Sequence, residues 1–136
     1  MSRYLLDVNA LVALGVREHI LFERVVRWVQ RLDLSRDEFA TCAVTELGFI
    51  RVLTQPGVPY TLSISEAKSA LQGLKASGEI PFTFVVDDQD VSKLPAWVKT
   101  SRQTTDGHLT QLARSKNALL ATLDRGIPGA FVIPEE

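Results

Sequence analysis

Arg3-Tyr-Leu-Leu-Asp-Val-Asn-Ala-Leu-Val-Ala-Leu-Gly15 is the stretch on which the reading of this chain turns. Arg3–Val8 starts as an apolar run and ends on an acid, Asp7, which is the pattern of a short buried strand. Asn9–Leu14 then predicts a short helix, with Gly15 placed to stop it from a C′ position. A strand with no polar face that runs straight into a helix opens a βαβ unit, whose parallel sheet is covered on both sides.

The rest of the chain repeats that alternation. Glu18–Leu32 predicts an amphipathic helix, with Leu21, Val25, Trp28, Val29 and Leu32 on one stripe and Arg24, Arg27 and Arg31 outside it. A second strand is expected at Glu38–Cys42 and a helix at Val44–Leu53, ended by the turn Gln55-Pro-Gly-Val-Pro59. Ser63 and Glu66 have capping-box spacing and open a helix over Ser65–Ala76, which Ser77-Gly78 closes. Phe82–Val86 predicts the third strand, Val91–Val98 a short helix interrupted by Pro95, and Thr105–Ser115 a helix with Arg114 and Lys116 near its negative end. Ala118–Leu123 and Ala130–Ile133 complete the strands. The expectation is one α/β domain over residues 1–136, a three-layer α/β/α sandwich with a mostly parallel five-stranded sheet.

Composition narrows the classes. With 46% hydrophobic and 23% charged residues, the 136-residue chain can bury a core and is not of the disordered type. Its single cysteine, Cys42, makes no internal disulfide, which points to a reducing compartment. No apolar stretch approaches a membrane span, and the acid at Asp7 argues against a secretion signal, so a cytoplasmic location is expected. The net charge of −1 does not by itself predict a nucleic-acid binder. If four acids are neutralised by cations, however, the remainder is basic, and Arg17, Arg24, Arg27 and Arg31 fall within one segment. The charge is therefore compatible with a phosphate-bearing substrate.

In parallel sheets, ligands bind outside the carboxyl ends of the strands, and four acids fall there. Asp7 ends the first strand, Glu46 lies just after the second, Asp106 opens the helix feeding the fourth, and Asp124 follows the fourth. Each has an ordinary alternative. Asp7 suits a helix cap, although Asn9 is the better cap by position; Asp106 suits a first-turn acid and Asp124 a turn aspartate. Glu46 shares a stripe with Phe49, Ile50 and Leu53, where a carboxylate is costly unless it is paired or bound to a metal. Arg51 points away from it. Two carboxylates at ~5 Å repel by roughly 3 kcal/mol at an effective dielectric near 20, so four converging acids call for protons or divalent cations. Mg²⁺, with Mn²⁺ as substitute, takes oxygen ligands and keeps waters for phosphate chemistry.

Leu5-Leu-Asp-Val-Asn-Ala-Leu-Val-Ala-Leu14, Thr45-Glu-Leu-Gly-Phe-Ile-Arg-Val-Leu-Thr54, Arg102-Gln-Thr-Thr-Asp-Gly-His-Leu-Thr-Gln-Leu-Ala113 and Leu120-Ala-Thr-Leu-Asp-Arg-Gly-Ile127 resemble, in order, the motifs of PIN-domain ribonucleases. Within them the chain is most similar to the VapC toxins of type II toxin–antitoxin systems. The resemblance spans nearly the whole chain. It implies a Mg²⁺-dependent endoribonuclease that cleaves RNA phosphodiester bonds with a metal-activated water. It implies metal binding by Asp7, Asp106 and Asp124, with Glu46 acting directly or through water, and supporting places for Asn9, Thr122 and Arg51. It further implies a homodimer and a cognate antitoxin, which would send an arginine into the acidic pocket and lay an amphipathic segment in a groove near Leu11, Leu14 and the Trp28 helix. His19 fits the toxin subgroup and equally fits a helix-start histidine. Gly107 departs from the family's usual alanine, and Asp87 and Asp88 are extra acids without an assigned role. Two other readings compete. A haloacid-dehalogenase-type phosphatase would want an acid where Asn9 stands. A non-catalytic PIN-like binding module is expected to lose acids, and here all four are present.

Overall fold

In a computed structural model of the chain, which describes residues 2–57 and 59–135, five strands form one sheet. They are β1 (Arg3–Leu6), β2 (Glu38–Thr41), β3 (Phe82–Phe84), β4 (Leu119–Thr122) and β5 (Phe131–Val132). Their order is β3-β2-β1-β4-β5, and every neighbouring pair is parallel. The helices are α1 (Val8–Gly15), α2 (Phe22–Arg31), α3 (Ala43–Thr54), α4 (Ile64–Ala76) and α5 (Thr104–Ser115).

Strand alternation creates the layers, because successive side chains point to opposite faces. Tyr4 and Leu6 of β1, Phe39 of β2 and Ala121 of β4 enter one core, where they meet Leu11, Trp28, Phe49, Leu53 and Leu71 of α1–α4. Leu5, Ala40 and Leu120, their strand neighbours, enter a second core against Leu109 and Leu112 of α5. Trp28 anchors the first core, packing edge-on against Tyr4 with ring centroids 5.0 Å apart. The sheet is thus covered on both faces, which is why the central strand β1 is apolar from Tyr4 to Leu6.

Several local expectations are corrected. Gly15 belongs to α1, and the chain leaves the helix at Val16 in extended conformation. The glycine serves packing instead: a Cβ there would stand 2.9 Å from Phe49 Cε2, so its absence lets α1 close on α3. The second helix begins at Phe22, not Glu18. Before it the chain turns, and His19 Nδ1 accepts the Leu21 N–H at 2.9 Å. The helix expected at Val91–Val98 is a single 3-10 turn, Val91–Lys93, capped by Asp90. Pro95, which has no N–H to donate, follows closely. The Ser63–Glu66 capping box forms as expected, at 3.0 and 2.9 Å. In the Gln55–Pro59 turn, Gly57 takes a φ of +85°, while Val58 lies outside the described residues. Among the described residues no helix is long and apolar enough to cross a membrane.

The strand order also locates the site. From β1 the chain winds through β2 to the β3 edge, and α5 then carries it back to β4 on the other side of β1. The order reverses between β1 and β4. In open parallel sheets this reversal opens a crevice at the carboxyl ends of the two strands.

Candidate active site

Asp7 stands at the mouth of that crevice, directly after β1, and is buried at 6% exposure. It caps α1, its Oδ1 accepting the Ala10 N–H at 2.9 Å. The expectation that Asn9 would be the cap is therefore corrected. The strand ends at Leu6 and helical geometry begins at Val8, so the cap position falls on Asp7, while Asn9 is exposed in the first turn. Thr122, fully buried at the end of β4, accepts the Asp124 N–H at 3.0 Å, and its hydroxyl, near the Asp7 carboxylate, favours the charged form of that acid. The ends of the two switch-point strands thus meet at one hydroxyl. Asp124 is exposed just beyond β4, its Oδ1 closing the turn on the Gly126 N–H at 2.8 Å. Asp106 sits half-buried in the first turn of α5, near that helix's positive end.

These three aspartates act on one another. Burial lifts the Asp7 carboxyl above its ordinary 3.8; the Thr122 hydroxyl and the bond from Ala10 oppose this, and the charges of Asp106 and Asp124 push it further up. Asp106 is raised likewise, by burial first and then by Asp124. Among the described residues the ion pairs are Arg3–Glu38, Lys75–Glu46, His108–Asp87, Lys116–Asp88 and Arg125–Glu135, so no basic side chain pairs with the three. Their donor set, hard carboxylate oxygens only, suits a hard divalent cation. Among the described residues no three His, Cys, Asp or Glu side chains are already gathered at ligating separation. Mg²⁺ tolerates that openness, because it retains several waters and needs only one or two direct carboxylates.

Glu46 lies in the first turn of α3 but is engaged elsewhere. The Thr41 hydroxyl donates to its Oε2 at 2.6 Å, and Lys75 Nζ of α4 donates to the same oxygen at 2.5 Å. The partner of this half-buried acid is thus a lysine 29 residues away, not Arg51, which is exposed on α3. No local sequence pattern announces Lys75, since only the docking of α4 beside α3 brings it there.

The family model described as PIN domain matches residues 4–130. This chain belongs to the PIN-domain family. Within it, the chain is 41% identical over 129 residues to Ribonuclease VapC38 of Mycobacterium tuberculosis (strain ATCC 25618 / H37Rv), covering 90% of this chain and 86% of the relative. It is 35% identical over 123 residues to Ribonuclease VapC29 of the same strain, with the same coverages of 90% and 86%. With that strain's Ribonuclease VapC44 it shares 31% over 137 residues and 94% of each chain. These identities place it among the VapC proteins. A solved structure, "Structure of FitAB bound to IR36 DNA fragment", matches with a TM-score of 0.52 at 20% identity, over 91% of this chain and 87% of that one; the likeness is one of fold.

The two extra acids of this PIN domain have partners of their own. Asp87 meets His108 Nε2 at 2.5 Å and Asp88 meets Lys116 Nζ at 3.2 Å, so both extra acids bind the loop after β3 to α5 and the residue that caps it. Gly107 also has a tertiary reason: a Cβ there would fall 2.2 Å from Val98 Cγ2, so glycine lets the 95–98 segment close over the turn that carries Asp106. An apolar depression of about 410 Å³ lies between α3, α4 and the end of β3, with Glu46 and Lys75 in its wall. A larger groove of about 620 Å³ runs between α2 and α4, lined by Leu14, Val26, Val29, Leu32, Leu74 and Ile80. Leu14 and the Trp28 helix, through Val26 and Val29, line it, whereas Leu11, also expected there, is a core residue at 0% exposure.

Proposed function

We propose that this protein is a metal-dependent endoribonuclease, the toxin of a type II toxin–antitoxin pair, acting as one domain with Mg²⁺, or Mn²⁺, as its cofactor. The observation that carries this reading is that Asp7, Asp106 and Asp124, from three separate parts of the chain at the switch-point edge, lie near enough for the charges of Asp106 and Asp124 to raise the Asp7 carboxyl and that of Asp124 to raise Asp106, without a basic partner among the described residues. The relatives named as ribonucleases support RNA as the substrate. When bound, the divalent cation supplies neutralising charge for a phosphodiester and acidifies water for attack on it. The chain's own residues do the holding. Thr122 and the Ala10 N–H orient Asp7, Thr122 fixes the start of the Asp124 turn, and the first turn of α5 presents Asp106. Asn9, exposed beside Asp7, is placed to meet substrate, and Glu46 contributes from its pairing with Thr41 and Lys75.

The partner reading follows the same logic. A cytoplasmic toxin must be restrained, and the α2–α4 groove offers an amphipathic antitoxin segment an apolar seat. An arginine from that segment fits the three aspartates by bidentate pairing. We propose a homodimer with a two-fold interface as the toxin's assembly. The test is cleavage of RNA by the purified protein, with chelator and with Asp124→Ala or Asp106→Asn, alongside growth on expression with and without the neighbouring gene. Chelation and both substitutions should abolish cleavage and growth arrest, and co-expression of the antitoxin should restore growth through a stable complex. Cleavage undiminished in folded variants would refute the catalytic assignment.

A further inference from the structure

Arg125 is joined by one peptide bond to Asp124, an acid of the proposed cation site, so its Cα lies about 3.8 Å from that of the acid. What faces Arg125 is set by β5. This strand runs parallel to β4 with Val132 beside Thr122, and the Ile133 N–H donates to the Thr122 carbonyl at 2.8 Å. The chain therefore leaves β5 at the same carboxyl edge of the sheet as Asp124. Arg24 of α2 holds this exit in place: its Nη2 donates to the Ile133 carbonyl at 2.5 Å, and its Nε to the Ile133 and Pro134 carbonyls at 3.2 and 3.3 Å. Glu135 is thereby delivered to Arg125, and the two form an ion pair. A cleft of about 500 Å³ is lined by both arginines and by residues 132–135. Among the described residues the ion pair of Arg125 is with Glu135 and not with Asp124, whose Oδ1 accepts the Gly126 N–H.

We propose that Arg125 is a substrate-binding residue that takes a phosphate of the RNA adjoining the scissile one, and that Glu135 holds this place in the free protein as an internal competitor. The proposal rests on the ribonuclease reading above. An RNA whose scissile phosphate meets the cation carries further phosphates along the same edge, where uncompensated aspartates repel them. Arg125 is the positive charge that the turn after β4 supplies at that point. Its pair with Glu135 is a surface one, with side chains 77% and 54% exposed, and such pairs are weak and screened by salt. A phosphodiester offers the guanidinium two oxygens, as a carboxylate does, and can replace Glu135 without leaving a buried charge unmatched. Arg24 is not exchangeable in this way, because its donors are spent on the two carbonyls that anchor the segment after β5.

Fluorescence anisotropy of a labelled single-stranded oligoribonucleotide, in chelator so that metal-dependent cleavage is off, tests this on the full chain. The proteins are wild type, Arg125→Gln, Arg125→Lys, Glu135→Gln, the Arg125→Gln/Glu135→Gln double variant and Arg36→Gln, and circular dichroism confirms the fold of each. Arg36 is exposed just before β2, at the opposite edge of the sheet, and controls for net charge. Arg125→Gln should weaken binding by roughly tenfold, the scale of one charge-assisted bidentate contact. It should also flatten the dependence of log affinity on log salt by about 0.7, the share of one phosphate on a single strand. Arg125→Lys should keep that slope and lose part of the affinity. Glu135→Gln should tighten binding by about threefold, a gain that vanishes in the double variant because Glu135 acts through Arg125. In Mg²⁺, Arg125→Gln should raise KM for RNA cleavage and leave kcat within about twofold. A merely structural pair predicts no change in the salt slope. An Arg125→Gln variant that binds like wild type or like Arg36→Gln, or a wild type that binds no RNA, overturns the role of Arg125. A gain from Glu135→Gln that persists in the double variant overturns the role of Glu135. If binding behaves as expected but wild type cuts no RNA in Mg²⁺ or Mn²⁺, the phosphate contact stands and the nuclease reading fails.

Discussion

Replacing Asp7 with asparagine separates two jobs that one carboxylate performs. Asparagine ranks with aspartate at helix N-caps, so its amide oxygen keeps the 2.9 Å bond from the Ala10 N–H. What disappears is a charge at 6% exposure, raised by burial and by Asp106 and Asp124. Relieving the burial of that charge is worth about 1–3 kcal/mol. The repulsion from two solvent-screened neighbours adds no more than about 1 kcal/mol. The new amide NH₂ must share Thr122, whose oxygen already accepts from Asp124, and this returns about 1 kcal/mol. The net expectation for the metal-free protein is a gain of about 1–2 kcal/mol, which at this chain length raises the melting midpoint by roughly 3–8 °C. Asp7→Ala removes the charge and the cap together, and the lost cap costs about 1 kcal/mol, so its midpoint should lie below that of the asparagine variant. Thermal unfolding by circular dichroism near neutral pH, in chelator and then in excess Mg²⁺, reads all three proteins. Wild type should gain stability from Mg²⁺ by linkage, and Asp7→Asn should gain less. An asparagine midpoint at or below the alanine one, in chelator, would refute the reasoning, because cap and charge would then not be separable.

Three further outcomes follow from the same geometry. Asp7 and Asp106 both titrate above their ordinary 3.8, so the folded chain holds these protons more tightly than the unfolded chain; the stability they contribute is complete below about 3.8 and is lost as pH rises through their raised values. The difference in unfolding free energy between Asp7→Asn and metal-free wild type should therefore grow across that window, as read by denaturant melts at stepped pH, and a flat difference would contradict it. Gly107→Ala, whose Cβ would fall 2.2 Å from Val98 Cγ2, should destabilise by about 1–3 kcal/mol, and adding Val98→Ala should recover part of the loss in a double-mutant cycle. Trp28→Ala empties the centre of the aromatic cluster formed with Tyr4, Phe39 and Phe131 and should cost about 3–5 kcal/mol in denaturant unfolding, with a smaller loss pointing to collapse around the cavity.

Local pattern and solvent period were enough to determine the alternation of apolar strands and helices, the parallel sheet, the Ser63–Glu66 cap and the placement of four acids after strands or in helix first turns. These features depend on residues within a few positions of one another, and burial on both faces leaves a run such as Tyr4-Leu-Leu6 no other use. The strand order was not legible, because it depends on which edge each crossover packs against, and only that order makes β1 and β4 neighbours at a switch point. The cap position turned on a shift of two residues, from Asn9 to Asp7, which depends on where β1 stops pairing with β4. Gly15, Gly48 and Gly107 look like weak points along their helices, yet each would place a Cβ within 3 Å of another element, at Phe49, Val8 and Val98. The fate of Glu46 lay furthest out of reach. Its helical stripe marked the acid as needing a partner, but the choice of Lys75 was made by the docking of α4 against α3, a long-range contact that no spacing in the sequence encodes.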